Sequence, residues 1–549
     1  MQIIVRQLVR QHLAISMTAA AIALCGCSNS QNPDSQSPSS SPTDVPPPLS
    51  GGGPALTQTS YDTKITSFDG TKIAATVFVP NAPANTPVPL IVHSHGWGAR
   101  RMTSLDPKGI ANLFYQPPEQ AVKIANENGY YVISYSERGW GDSGGTDEVM
   151  SPAYEGKDFE AVLDWAEANL GPQLALRDGK LAVGLLGYSY GAAFQLMGAS
   201  LDERVAVIVP ALIGHSGFPP GLPTPQPQSA WGQLLQAGAI AGSAKLDPIY
   251  VQGSKESLQT GVFPQSLIDL TAANWPSAYC DFDVDPNPGQ FVPHVPTFLV
   301  QGWNDTLFSV NEGLKNAQCL RDKGGADVHL LIQQYGHTLP GQLRIPKGDG
   351  VTGVAMQAQV DCGDGGNFNL AEAMYSFIDE HLRGVAASGP HVDVPQTCVT
   401  LDDNTGMTFD TIDAIPTGNT PYVVSATTVS GPNFIPLYTA SAQKILLGIP
   451  HMAINVAVAD SATPYAFFGI GIQRVGSSTA TLLDDQIFPI HGTGDFDTDM
   501  LGVETVLNAG DVVGIMASNS SDQYAYPTPE SETPATYTFS GTFSLPFLN

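Results

Sequence analysis

From Tyr61 onward the chain alternates short apolar runs with stretches of helical spacing. "KITSFDGTKIAATVFVP" (64–80) alternates apolar and polar residues on both sides of Asp69-Gly70 and predicts a hairpin of half-buried strands. Six β-rich runs follow with helical stretches between them: "PLIVHSH", "YYVISYS", "LAVGLLG", "VAVIVP", "TFLVQGW" and "VHLLIQQY". Apolar runs of this kind predict a parallel sheet covered by helices on both faces, an α/β architecture. Functional residues in such sheets gather at the carboxyl ends of the strands.

The third run ends in "GYSYG", which sets Ser189 between Gly187 and Gly191. A nucleophile elbow needs small residues at those positions because the turn from strand to helix is sharp. Ser189 then stands at the N-terminus of "YGAAFQLMGAS", where the helix dipole and the Tyr190 N–H face negative charge developing on a substrate oxygen. Glycine-flanked serines also serve packing alone, so the chemistry requires a base and an orienting acid in the chain order Ser, Asp, His. Asp305 follows the strand "PTFLVQGW" and His337 follows "VHLLIQQY", both at the strand ends that carry Ser189. The triad Ser189, Asp305, His337 is therefore expected. His329 begins its strand and is read as structural; Asp283 and Asp285 precede the acid strand and are placed less well than Asp305.

The second oxyanion donor should come from the loop after an earlier strand. In "HSHGWGARR", Gly96 and Gly98 allow close approach of backbone, and the Trp97 N–H is expected to pair with that of Tyr190. His215, just past the strand "VAVIVP", is assigned to the substrate pocket. His93 and His95 have no evident third ligand, so no zinc site is expected, and no cofactor.

The remainder changes character from about Pro395. "HMAINVAVAD", "AFFGIGIQRV", "GDVVGIMASNS" and "TYTFSGTFSLPF" alternate as strands with turns at short intervals and predict an all-β sandwich. Asp495, Asp497 and Asp499 in "GDFDTDM" lack the spacing of an EF-hand and read as a solvated acidic loop.

The other end addresses the protein. Arg6 and Arg10 precede "LAISMTAAAIAL", an apolar stretch too short for a comfortable membrane span, which reads as a signal peptide over 1–26. "LCGC" resembles a bacterial lipobox in which Cys27 is lipidated, so the protein is expected in the bacterial cell envelope, held to a membrane by that anchor alone, or released after ordinary cleavage. Residues 27–57, rich in Ser, Pro and Gly, are expected to be a disordered tether. A formal net charge of −28 makes nucleic acid a poor partner. Cys280, Cys319, Cys362 and Cys398 make an even number in an oxidising setting, consistent with two disulfides. Three pairings are open, of which Cys280 with Cys319 and Cys362 with Cys398 is preferred.

"SERGWGDSGG" (136–145), "DFEAVLDWAEANL", "LLGYSYGAAFQLMGAS" and "FIDEHLRG" together resemble the X-Pro dipeptidyl-peptidase-like serine hydrolases, the group of cocaine esterase and α-amino-acid ester hydrolases. The resemblance covers most of the chain from about residue 60. It implies an α/β-hydrolase fold over 58–394 with a helical cap inserted at about 211–290, then a C-terminal β jelly-roll sandwich over 395–549. "HSHGWG" stands where the family often has Pro-Tyr, and Ser136 stands in the aspartate position of "DxRG", which leaves Arg138 a structural ion-pair or turn residue. The expected activity is hydrolysis of a carboxylic ester through an acyl-enzyme, with X-Pro peptide or other amide cleavage as the alternative. A non-catalytic surface protein that grips a polymer is the alternative of another class.

Overall fold

The computed structural model describes residues 47–217, 226–281, 289–339, 353–384, 389–458, 465–524 and 534–548. The signal segment, Cys27, most of the tether, Asp283 and Asp285 lie outside them. Among the described residues no helix is long and apolar enough to cross a membrane.

The predicted hairpin forms β1 (Thr59–Thr66) and β2 (Lys72–Val79), antiparallel across the Asp69-Gly70 turn. Then follow β3 (Leu90–His93), α1 (Pro117–Glu127), β4 (Tyr131–Tyr135), α2 (Glu155–Asn169), β5 (Val183–Tyr188), α3 (Tyr190–Ala199) and β6 (Val205–Ala211). Helices α4 (Ser229–Ala241), α5 (Pro248–Thr260), α6 (Gln265–Thr271) and α7 (Ser277–Cys280) intervene before β7 (Thr297–Gly302), as the cap. After them come α8 (Val310–Asp322), β8 (Val328–Gln333), α9 (Leu370–Arg383), β9 (Thr397–Thr400) and β10 (Gly406–Phe409).

These strands make one ten-stranded sheet in the order β1-β2-β4-β3-β5-β6-β7-β8-β9-β10, parallel from β4 through β9. Its central strands are apolar throughout because both faces are covered. On one face Val183 and Leu185 pack with Phe159 of α2, Phe194 of α3 and Leu314 of α8; on the other Leu186 packs with Val122 of α1 and Ile378 of α9. The chain has the α/β-hydrolase fold, followed by a second, all-β domain.

Two expected boundaries shift. Strand β9 pairs in parallel with β8, and β10 pairs with β9, so the large sheet runs past 395. Short alternating segments carry no mark of the sheet they join, and a parallel neighbour captured this one. The end of the tether is also ordered: Ser50 bridges Leu176 and Leu56 bridges Ala82, because the free edge of the core offers backbone partners.

The second domain packs two antiparallel sheets around Phe468, Phe539 and Phe543. One orders Thr420–Val429, Tyr537–Leu545, His451–Ala457 and Gly494–Asp499. Asp495, Asp497 and Asp499 thus sit on a strand rather than in a loop: alternation puts all three on its exposed face, where His451 meets Asp497 at 2.8 Å and Asp499 at 2.9 Å. Leu447, Ile449 and Val506 of this domain join the hydrolase core itself. Both preferred disulfides are present: Cys280–Cys319 ties α7 to α8, and Cys362–Cys398 ties the approach to α9 to β9.

Candidate active site

Strand β5 ends at Tyr188 and α3 begins at Tyr190, leaving one residue to turn the chain. Ser189 turns it at φ 54° and ψ −119°, a strained conformation for a residue with a side chain. The flanking glycines are obligatory. A Cβ on Gly187 would lie 2.4 Å from the Gly191 carbonyl oxygen, and one on Gly191 would lie 2.4 Å from that of Ser94. Gln195 holds the turn shut: its amide donates to the carbonyls of Gly187 (2.9 Å) and Gly191 (3.2 Å) and accepts from Val209 N (2.9 Å).

The three residues expected to act together do meet. His337 Nε2 lies 2.9 Å from Ser189 Oγ, and His337 Nδ1 lies 2.6 Å from Asp305 Oδ2. The remaining oxygen of Asp305 accepts from Leu307 N (3.0 Å) and Phe308 N (2.6 Å), which fixes the carboxylate plane. Thr306 N donates to the His337 carbonyl at 2.9 Å, so the acid turn and the histidine loop are stitched backbone to backbone. Gly336 permits it, since a Cβ there would come within 2.5 Å of Asp305 Cβ.

Aromatic groups close over the histidine. Trp231, on α4 of the cap, stands edge-on to His337 at 5.9 Å and donates from Nε1 to Thr306 Oγ1 at 3.0 Å. Phe308 meets the same ring at 90° and 5.4 Å. Ser189 is only 6% exposed, and it faces a cavity of about 180 Å³ lined by Trp97, Tyr190, Ile213, Trp231, Leu235 and Tyr250 among others. Trp97 bridges the elbow and the cap: its ring meets Tyr190 edge-on at 5.2 Å, and its Nε1 donates to Leu235 O on α4 at 2.8 Å. Tyr190 opens α3, where the first N–H groups have no acceptor in their own helix. Its hydroxyl donates to buried Asp147, which also accepts from Trp140 Nε1.

His215 requires correction. It does not line the cavity; its ring turns toward α8 and the end of α7, with Nδ1 2.9 Å from Asn316 Oδ1 and Nε2 3.2 Å from Asp281. The next two residues, Ser216 and Gly217, take the lining position, because the chain beyond β6 has already turned. His95 and His93 are likewise committed: His95 Nδ1 to Gly96 O, His93 to Ser134 and Glu119. Burial pushes His95 down to about 4. His329 at the start of β8 contacts Val394 O, far from the site. Arg138 makes a bidentate pair with Asp158, at 2.7 and 2.8 Å.

Two participants escaped sequence reasoning. Gln486, in the second domain, donates from Nε2 to the carbonyls of Trp303 (2.8 Å) and Asp305 (2.9 Å). Nothing local marks it. Glu312, in the first turn of α8, reads in sequence as an ordinary acid favoured at a helix N-terminus, yet it lines the cavity and is the one carboxyl among the described lining residues.

Residues 69–339 match the family described as X-Pro dipeptidyl-peptidase (S15 family). The match takes in just under half of the chain and makes this protein similar to the X-Pro dipeptidyl-peptidase-like serine hydrolases. The hydrolase superposes on a CocE/NonD family hydrolase from Staphylococcus aureus at a TM-score of 0.56, 15% identity, covering 90% of this chain and 94% of that one. It superposes on an α-amino acid ester hydrolase at 0.59 and 11% identity, covering 93% and 98%. An aminopeptidase from a marine sediment Thaumarchaeota archaeon gives 0.56 at 14% identity, covering 95% and 99%. At these identities the likeness is one of fold. A 31.7 kDa Escherichia coli protein is 31% identical over 145 residues, which span 26% of this hydrolase and 43% of that relative.

Proposed function

We propose that this hydrolase cleaves carboxylic esters with an apolar acyl group through an acyl-enzyme on Ser189, and does so outside the cytoplasm on a lipid tether at Cys27. The observation that carries the reading is the unbroken chain of contacts from Ser189 Oγ through His337 to Asp305 at the wall of an apolar cavity. Ser189 Oγ attacks the ester carbonyl as His337 Nε2 takes its proton, and Asp305 stabilises the imidazolium that forms. The N–H groups of Tyr190 and Trp97 receive the oxyanion. Collapse expels the alcohol, which takes the proton from His337; water, activated by the same nitrogen, then frees the acid and restores Ser189.

An ester is favoured over an N-terminal dipeptide by the lining. A substrate ammonium buried in such a cavity needs ionised partners, and Leu307, Phe308, Trp231 and Leu258 line it instead, with Glu312 the one described carboxyl. The four cysteines paired as disulfides support export to an oxidising compartment.

An alkyl fluorophosphonate should label the wild-type protein and not Ser189→Ala; absence of wild-type labelling overturns the hydrolase mechanism. p-Nitrophenyl esters should be turned over in preference to Ala-Pro and Gly-Pro anilides. Preference for the anilides makes it a peptidase. Incorporation of labelled palmitate in a bacterial host, lost in Cys27→Ala, tests the anchor.

A further inference from the structure

The cavity has one polar flaw. Glu312 is 1% exposed and lines the wall; its Oε2 accepts from His215 N at 2.9 Å and Ser216 N at 3.0 Å, whereas its Oε1 has no partner among the described residues. Trp275 also lines the wall, and its indole Nε1 is buried without an acceptor among the described residues. The two flank one short piece of backbone: Glu312 grips Ser216, and the Trp275 Nε1 edge packs on Gly217, where an added Cβ would come within 2.4 Å of it. Buried polar groups nearly always find partners, so an unpaired carboxyl oxygen and an unpaired indole N–H side by side behind one wall call for an explanation beyond packing.

We infer that Glu312 and Trp275 form a polar subsite in the acyl pocket, and that the acyl group Ser189 receives is a short apolar chain bearing a hydroxyl. The inference rests on the ester-hydrolase reading above. A hydroxyl both donates and accepts, so it satisfies Glu312 Oε1 and Trp275 Nε1–H together. An ammonium has only donors: it leaves the indole unpaired and asks three acceptors of a wall that offers one carboxyl. Burial pushes that carboxyl up to about 7, which further weakens it as a counter-ion and leaves it able to bond a neutral group in either protonation state. Size fixes the rest. Cavities of about 150 Å³ take benzene, so about 180 Å³ suits an acyl group of about six carbons.

Ethyl hexanoate, its 3-, 4- and 5-hydroxy derivatives and the matching amino derivatives, followed by acid release at constant pH, test it. At least one hydroxyhexanoate should exceed hexanoate in kcat/KM by about tenfold or more, since a site built to bond a hydroxyl discriminates strongly against its absence. In Glu312→Leu and in Trp275→Phe the hydroxy-to-plain ratio should fall toward one. The ratio is internal to each variant, so partial misfolding lowers both numbers without moving it, and Trp275→Phe serves where Glu312→Leu fails to fold. Hexanoate equal to or better than every hydroxy ester overturns the inference and leaves the hydrolase standing. Preference for an amino ester, or a hydroxyl preference that survives both variants, overturns the assignment. Loss of all ester turnover together with loss of fluorophosphonate labelling removes the underlying mechanism and the subsite with it.

Discussion

The side-chain amide of Gln486 spans the turn that bears Asp305, donating to the carbonyl of Asp305 at 2.9 Å and to that of Trp303 at 2.8 Å from a different domain. The loop presenting it is itself strained, with Asp484 and Asp485 at φ 51° and 56°, and it is braced by Asn304 Nδ2 donating to Asp484 Oδ1 at 3.2 Å. The second domain therefore sets the height of the acid under the histidine. Gln486→Ala should lower kcat by about 10–100-fold with a smaller change in KM, because small displacements of a catalytic group cost about that much. Steady-state kinetics on a variant with wild-type circular dichroism checks it; an unchanged kcat removes the positioning role.

Asp305→Asn separates geometry from charge. The two backbone N–H groups from Leu307 and Phe308 still find the amide oxygen, so the turn survives. The amide nitrogen then faces His337 Nδ1 and donates to it, which moves the imidazole proton to Nε2, where the base must be free. A fall in kcat of about 10³–10⁴ is expected, with melting behaviour near wild type. A loss below tenfold would place the orienting role elsewhere.

The sheet, the hairpin and the three residues that meet at Ser189 were legible because each is a local signal: an apolar run, a glycine-bounded serine, a polar residue just past a strand. Ser189 and His337 lie far apart in sequence, but strand ends are brought to one edge by the parallel topology. His215 satisfied the same rule and failed it, since one further residue of turn sent its ring to Asn316 and left Ser216 at the wall. Gln486 and Glu312 were illegible for a different reason. One acts across a domain contact, the other from a helix start where an acid has an ordinary electrostatic excuse, and only packing reveals either.

Buried carboxyls make stability fall with rising pH. Glu137 is fully buried, accepts from Ser94 Oγ at 2.6 Å, and is pushed up to about 8 chiefly by desolvation. The folded protein thus binds this proton more tightly than the unfolded chain, whose carboxyl titrates near 4.5, so its contribution is complete below about 4.5 and lost as pH rises through about 8. His95 opposes it, but only between about 4 and 6.5, where the unfolded chain takes up a proton that the buried imidazole refuses. Above 6.5 the raised carboxyls govern, Glu137 together with Glu312 and Glu155. Between pH 6.5 and 8 Glu137 alone should lower stability by up to about 1.4 kcal/mol per pH unit, and Glu137→Gln should remove that part of the slope. Denaturation midpoints across the interval decide it; a wild-type slope that the variant leaves intact assigns the effect to another group, such as buried Glu155.

The Cys280–Cys319 bridge joins the last cap helix to α8, the helix that carries Glu312. Its partners are 39 residues apart, and closing a loop of that length restricts the unfolded chain by about 4 kcal/mol. The bridge also fixes where the cap ends relative to the wall formed by Trp275 and Ser216. Replacing both cysteines by serine should therefore act on binding more than on chemistry. The proposed triad is built on β5, β7 and β8 and does not pass through the bridge, so kcat should stay within a few-fold while KM for a six-carbon ester rises about 3–10-fold and the melting temperature drops. Treating wild type with a thiol reductant should reproduce the KM change, and the double variant should no longer respond to it at that site. A variant whose KM equals wild type despite a lowered melting temperature would make the bridge a stabilising clasp with no part in shaping the pocket.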